Sequence, residues 1–241
     1  MKIGLQLYTL REETEKDFLR VLEEAASIGY DGVEFAGFGG IGHEEMKEKL
    51  EETGLEAAGS HTAFEILEKE MDTVINYNKS ISNTNIVVPY YEYSKREDYM
   101  QFARRLERIG RELSLHGMNL LYHNHSHEFE VYGGEYGLDI LFSNAAPAYL
   151  KAEIDICWVY AAGVDPVRYV EKYRDRLFLL HMKDMAGGKL TEVGNGEIDM
   201  RAVVEKAREI GVEWLIVEQD DNLKPGVESA RISFRNLKEM I

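Results

Sequence analysis

The sequence predicts an α/β fold, a single (β/α)8 barrel of the TIM type spanning residues 1–241. Three observations predict it. Short apolar runs alternate with longer amphipathic stretches eight times, as parallel strands joined by helical crossovers do. After the first strand, where a doubly wound dinucleotide-binding sheet carries GxGxxG, this chain has Tyr8-Thr9-Leu10-Arg11. Four prolines in 241 residues, and no low-complexity linker, leave nothing to divide the chain. Eight units favour closure into a barrel over an open sheet.

The elements follow in order. Residues 3–8 read as a strand, and 15–28 as a helix with Phe18, Leu19, Leu22, Ala25 and Ala26 at helical spacing and Gly29 as its C-cap. A strand at 32–35 precedes a helix at 44–52 closed by Gly54. A strand at 55–61 precedes a helix at 64–76. Residues 84–89 contain Ile86-Val87-Val88, the continuous apolar run of a strand buried on both faces. A long amphipathic helix at 96–116, capped by Gly117, leads to a strand at 119–123, then an irregular loop and a short helix at 138–143. The sixth strand is 150–155. Its helix, 166–173, opens with Pro166 in the first turn behind Asp165 as N-cap. Strand 177–181, helix 200–210, strand 214–218 and a last helix at 229–240 complete the series.

Composition narrows the function classes. The chain is 44% hydrophobic and 30% charged, an ordinary globular balance. One cysteine, Cys157, can form neither an internal disulfide nor a zinc–thiolate site, which suits a reducing compartment. The opening MKIGLQLYTL has too short an apolar run for a signal peptide, and no 18-residue apolar stretch exists to span a membrane. A cytoplasmic protein is expected. Lys plus Arg number 28 against 44 Asp plus Glu, a formal charge of −16, which argues against a nucleic-acid partner.

In a barrel of this type the active site lies at the C-terminal strand ends. Those ends carry Gln6 and Tyr8, Glu34, His61, Tyr90, His123 and His125, Glu153 and Asp155, His181 and Lys183, and Glu218 with Gln219 and Asp220. The strand bodies are Ile, Val, Leu and Ala, so charged groups gathered at one rim are costly unless paired or bound to a cation. In Tyr122-His123-Asn124-His125 the two histidines stand two apart on an extended segment and share a face, as do Glu153 and Asp155. His43, His116 and His127 fall on helices or loops and are left out of the site. Gly194-Asn195-Gly196 reads as a plain turn, with a loop covering substrate as the alternative. Asp, His, Glu and a further His from four strands form a mixed nitrogen and oxygen set. It suits Mn²⁺, Co²⁺, Zn²⁺ or Fe²⁺ better than Ca²⁺, and without thiolates it is catalytic rather than structural in type.

These segments resemble the sugar phosphate isomerase/epimerase group of xylose-isomerase-like barrels, in its inosose-dehydratase-like branch. The resemblance covers essentially the whole chain. It rests on Gly4-Leu5-Gln6-Leu7-Tyr8, Gly32-Val33-Glu34, Tyr122–His125 with Glu128-Phe129, Glu153-Ile154-Asp155, His181-Met182-Lys183-Asp184, Val193–Gly196 and Val217–Asp220. It implies a divalent metal (Mn, Co, Zn, Fe or Mg) held by Asp155, His181 and Glu218. The first ligand departs from the family's glutamate: His123 stands there, with Glu153 as the other candidate. Trp158 occupies the place where epimerases carry a substrate-binding histidine. The expected activity is a metal-dependent isomerase or epimerase of a sugar or keto-sugar, working by proton transfer next to a metal-bound carbonyl through an enediolate. A dehydratase or lyase acting on an inosose or 3-keto-sugar, and a non-catalytic sugar-binding barrel, are the alternatives. Glu218 is expected as ligand and base, His125 as the opposite proton-transfer group, and Lys183 as the oxyanion donor. Gln6, Glu34, His61 and Trp158 are expected to bind substrate. The partner is a small sugar or cyclitol, with neither nucleic acid nor membrane. Phosphorylation stays open, since only Lys183 and the 194–196 loop offer phosphate donors, and the family leaves room for a homo-oligomer.

Overall fold

The computed structural model describes residues 1–221 and 224–241. Eight strands close a wholly parallel barrel: β1 (Lys2–Gln6), β2 (Gly32–Phe35), β3 (Glu56–His61), β4 (Asn85–Val88), β5 (Asn119–His123), β6 (Lys151–Asp155), β7 (Leu177–Met182) and β8 (Trp214–Val217). The ring closes because β1 pairs on both sides, Leu5 standing opposite Val33 of β2 and Val217 of β8. Around it lie α1 (Phe18–Ile28), α2 (His43–Thr53), α3 (Met71–Ser80), α4 (Arg96–Leu115), α5 (Gly137–Ser143), α6 (Pro166–Lys172), α7 (Met200–Ile210) and α8 (Gly226–Lys238). No described helix is long and apolar enough to cross a membrane.

Strand alternation divides the core in two. Outward residues such as Leu5, Val33, Tyr122, Ile154, Leu180 and Val217 pack against the helices. Ala58, Val87, Leu121, Leu179, Trp214 and Ile216 fill the barrel itself. Glycine makes room for the largest of these. A Cβ on Gly32 would lie 2.7 Å from the Trp214 ring, and one on Gly4 would lie 2.6 Å from Ile216 Cδ1.

The caps behave as their residue types dictate. Asp165 accepts the amides of Val167 and Arg168 ahead of Pro166, while Gly29 (φ 112°) and Gly54 (φ 72°) end α1 and α2 in the left-handed region. Several boundaries differ from expectation, among them the last helix, expected at 229–240 and found at Gly226–Lys238. β1 stops at Gln6, because the Gln6 side chain accepts from Tyr8 N and turns the chain into a 3-10 helix, Leu7–Leu10, and a helical turn, Arg11–Thr14. The helix expected at 15–28 therefore starts only at Phe18, with Asp17 as N-cap. The helix expected at 64–76 is two helices, Phe64–Lys69 and α3, broken at Glu70 (φ −133°). A further short helix, Ile156–Ala161, follows β6 directly, and hairpins occupy 131–136 and 184–191.

Candidate active site

Along the inward rows, apolar residues give way to polar ones at the C-terminal ends. On β5 Leu121 is followed by His123, on β7 Leu179 by His181 and Lys183, and on β8 Ile216 by Glu218 just past the strand. Each side chain thus reaches one buried centre from its own strand. His123, Asp155, His181 and Glu218 each offer a ligand atom there, all within 4.8 Å of one another. A second grouping, His61, His123, Glu153 and His181, satisfies the same spacing and shares two of these residues.

Hydrogen bonds fix the geometry. His181 Nδ1 lies 3.0 Å from Glu218 Oε2, and its Nε2 lies 2.7 Å from Glu34 Oε2. Glu153 Oε2 lies 3.0 Å from His61 Nε2. It is equally close to His123 Nδ1, at 3.0 Å, but without hydrogen-bond alignment. Asp155 divides its labour. Oδ1 accepts from the amides of Cys157 and Trp158 at the start of the 156–161 helix, and Oδ2 faces the centre, 3.1 Å from Lys183 Nζ. Lys183 Nζ also lies 2.7 Å from Glu218 Oε2 and 2.7 Å from Asp220 Oδ2.

The electrostatics follow from crowding carboxylates out of water. Burial works against the charge of Glu34, yet the imidazoles of His61 and His181 hold it well below the usual carboxylate range. Glu218 is held low against burial by Lys183 and His181. Glu153 goes up through burial and the nearness of Glu34, and Asp220 through burial and Glu218. Burial tends to lower His181, but Glu153, Glu34 and Glu218 raise it well above its ordinary value. His123 goes down, and His125 is pushed down to about 3, by burial together with nearby positive groups, so both imidazoles are neutral.

Five carboxylates therefore share this centre with one lysine: Asp155, Glu218 and Asp220 lie against Lys183, and Glu34 and Glu153 against His61 and His181. A centre so short of positive charge fits a divalent cation. The donors, two imidazoles and two carboxylates, are those a borderline metal takes. Asp155 Oδ2, buried without an aligned hydrogen-bond partner, is an acceptor with capacity to spare.

Above the centre opens a cavity of about 750 Å³. His61, His123, His125, Glu218 and Asp220 form its floor, with Tyr8 and Tyr90 at its rim. Asp155 and His181 lie beneath, fully buried. Trp158 stands behind His125, ring centroids 6.1 Å apart, and neither its Nε1 nor His125 Nδ1 has a hydrogen-bond partner.

Three expected substrate binders do not line the cavity: Trp158, which stands behind His125, and the pair Gln6 and Glu34. Gln6 and Glu34 are fully buried: Gln6 Nε2 donates to Glu34 Oε2 at 2.7 Å, and Gln6 Oε1 accepts from Tyr8 N. They hold His181 and shape the strand turn instead of meeting hydroxyls. Lys183, expected as an oxyanion donor, is buried below the cavity. Three carboxylates enclose its ammonium, Asp155 at 3.1 Å and Glu218 and Asp220 at 2.7 Å. The 194–196 segment is a turn folded on Asp184, whose Oδ2 accepts from Gly194 N at 2.9 Å and Gly196 N at 3.0 Å, so neither amide is free for phosphate.

Residue-by-residue reading missed two supports. Asn124 clamps β5 to β6, its Oδ1 accepting from Asp155 N and its Nδ2 donating to Asp155 O. Its place between two histidines that share a face was the available signal, since it could not point into the same centre as they do. Glu128 accepts from His125 N and from Tyr122 OH at 2.6 Å, fixing the histidine loop from behind.

Comparison with known proteins agrees with this architecture. The chain is 27% identical over 146 residues to an inosose dehydratase of Lacticaseibacillus casei, a match covering 52% of this chain and 48% of that protein, so it spans about half the relative's length. It superposes on a sugar phosphate isomerase/epimerase from Parabacteroides distasonis with a TM-score of 0.85 at 24% identity, covering 99% and 95% of the two chains. The probable 3-DHS dehydratase of Bacillus anthracis superposes at 0.78 with 14% identity, covering 99% of each. Both superpositions show a shared fold. A family model described as xylose isomerase-like TIM barrel matches residues 22–240, and the chain belongs to that family.

Proposed function

We propose that the protein is a divalent-metal-dependent enzyme that moves a proton next to a carbonyl of a sugar, keto-sugar or cyclitol, as an isomerase or epimerase does. The observation that carries this reading is the convergence of His123, Asp155, His181 and Glu218 within 4.8 Å in a buried centre rich in carboxylate. Those four residues would hold the metal. A cation bound there supplies a Lewis acid that polarises the carbonyl and acidifies the adjacent C–H.

The chain's own groups supply the rest. Glu218, kept ionised by Lys183 and His181 at the cavity floor, takes the proton and leaves an enediolate on the substrate. His125, neutral at rest on the same floor, takes up a proton from solvent before it delivers one to the opposite face. His61 binds a hydroxyl, and Trp158 backs His125. Lys183 positions Asp155, Glu218 and Asp220 as their common counter-ion. A dehydratase of an inosose or 3-keto-sugar is the second reading. The L. casei relative favours it, and loss of water β to a carbonyl begins with the same proton removal.

Solvent-deuterium incorporation into a panel of keto-sugars and inososes by the Mn²⁺-loaded protein tests the proposal. Exchange at a carbon next to the carbonyl is expected. Tight binding with no exchange across the panel would leave only a sugar-binding barrel.

A further inference from the structure

The cavity above the candidate centre has two unlike halves. The floor is polar, as described. The wall on the β2–β4 side is largely apolar, built from Phe38, Ile66, Val74 and Tyr77 with Glu70 and Thr73 among them, and extended to the rim by Tyr8 and Tyr90. Phe38 and Tyr77 stack at 3.9 Å between centroids, and the Tyr77 hydroxyl is tied back to Ile41 O, so the pair presents ring surface. Ile66 and Tyr90 are 44% and 49% exposed, large apolar groups left facing the opening. Scattered exposed residues need no explanation, whereas a contiguous apolar wall beside a polar floor does.

The charges around the cavity point the same way. No Lys or Arg lines it among the described residues, whereas Glu70, Glu218 and Asp220 do. Lys183 is enclosed by three carboxylates, and Lys224 pairs with Glu192 at 2.7 Å. Arg11 donates to the carbonyls of Tyr8 and Asp220. The amides of Gly194 and Gly196 serve Asp184. His61, on the floor, is itself paired with Glu34 at 3.1 Å and Glu153 at 3.0 Å, so among the described residues a phosphate dianion would find no unpaired cationic fork.

Resting on the carbohydrate reading above, we propose that the substrate is uncharged, unphosphorylated and carries an apolar group of about aryl size on the side away from its reacting carbonyl. The polar floor takes the hydroxyls, and the Phe38–Tyr77 wall takes the apolar group. A cavity of about 750 Å³ is larger than a bare monosaccharide fills.

The test is calorimetric binding to the Mn²⁺-loaded protein with three probes: phenyl β-D-glucopyranoside, methyl β-D-glucopyranoside and D-glucose 6-phosphate. The phenyl glycoside should bind at least about tenfold tighter than the methyl glycoside, the scale of burying one ring. The phosphate should bind no tighter than the methyl glycoside. In Ile66→Asp, at an exposed position that folding tolerates, and separately in Tyr90→Ala, the phenyl-to-methyl ratio should fall to about threefold or less. Equal binding of the two glycosides overturns the apolar subsite and leaves the carbohydrate reading standing. Tightest binding of the phosphate overturns the uncharged substrate. Binding of none of the probes overturns the proposal, while deuterium exchange on the keto-sugar and inosose panel decides the carbohydrate reading separately. A change of oligomeric state in Ile66→Asp with the phenyl preference retained assigns the wall to a second copy of the chain, which also overturns the proposal.

Discussion

Replacing Glu218 by glutamine separates a metal ligand from a structural carboxylate. Glu218 Oε2 lies 2.7 Å from Lys183 Nζ and 3.0 Å from His181 Nδ1, with the side chain 6% exposed. Breaking a buried ion pair ordinarily costs about 3–5 kcal/mol, because one charge is left without compensation. Here Lys183 keeps Asp155 at 3.1 Å and Asp220 at 2.7 Å, so no charge is stranded. The loss is the charge-assisted part of two hydrogen bonds, about 1.5–3 kcal/mol for such bonds. Relief of repulsion against Asp155 and Asp220, both of which Glu218 raises, offsets part of it. The net cost in chelator should be about 1.5 kcal/mol or less, a fall in Tm of about 3–6 °C for a chain of this length. With Mn²⁺ at a thousand times Kd, the parent should gain about 4 kcal/mol by mass action. The variant should lose most of that gain. Thermal denaturation of both proteins, in EDTA and in Mn²⁺, measures the two differences. A variant that is unfolded in EDTA, or one with the full Mn²⁺ shift, would refute the reasoning from opposite sides.

His123→Ala and His125→Ala should part company: the first should reduce Mn²⁺ occupancy at least about tenfold, and the second should keep the metal but slow deuterium exchange about a hundredfold or more. Metal analysis and exchange kinetics on the same preparations check this, and normal occupancy in His123→Ala would move the first ligand to Glu153. Asp184 accepts four backbone amides, those of Met185, Gly194, Gly196 and Ile198. Asp184→Ala should therefore cost at least about 3 kcal/mol in urea unfolding, several buried donors being left unpaired; a cost under about 1 kcal/mol would mean that water replaces the carboxylate. A Cβ on Gly59 would lie 2.6 Å from Glu34 Oε1, so Gly59→Ala should displace the buried Glu34. Its cost should be about 1–3 kcal/mol by the same measurement, and an unchanged midpoint would show that Glu34 moves freely.

Most of the fold was legible because a parallel barrel writes itself in apolar runs. Ile86-Val87-Val88 is fully buried as its continuity implied, and the inward pairs ending in His123, His181 and Glu218 obey strand alternation. Tip position alone could not say which way a polar group turns. Gln6 and Glu34 look like rim residues in sequence, but they pair with each other across adjacent strands below the cavity. The excess of carboxylate around Lys183 joins β6, β7 and β8, so it exists only once register is known. The break at Glu70 carries neither proline nor glycine to mark it. The apolar wall joins Phe38 from the loop after β2 with Tyr77 of α3, a contact with no local pattern.

The central claim is that the buried cluster is a divalent metal centre, and metal stoichiometry tests it most directly. Protein stripped with chelator and titrated with Mn²⁺ in a calorimeter should bind about one ion per chain. His181→Ala, which removes one of the two residues common to both ligand groupings, should abolish that binding. One ion retained in His181→Ala, or none bound by the parent, would contradict the account.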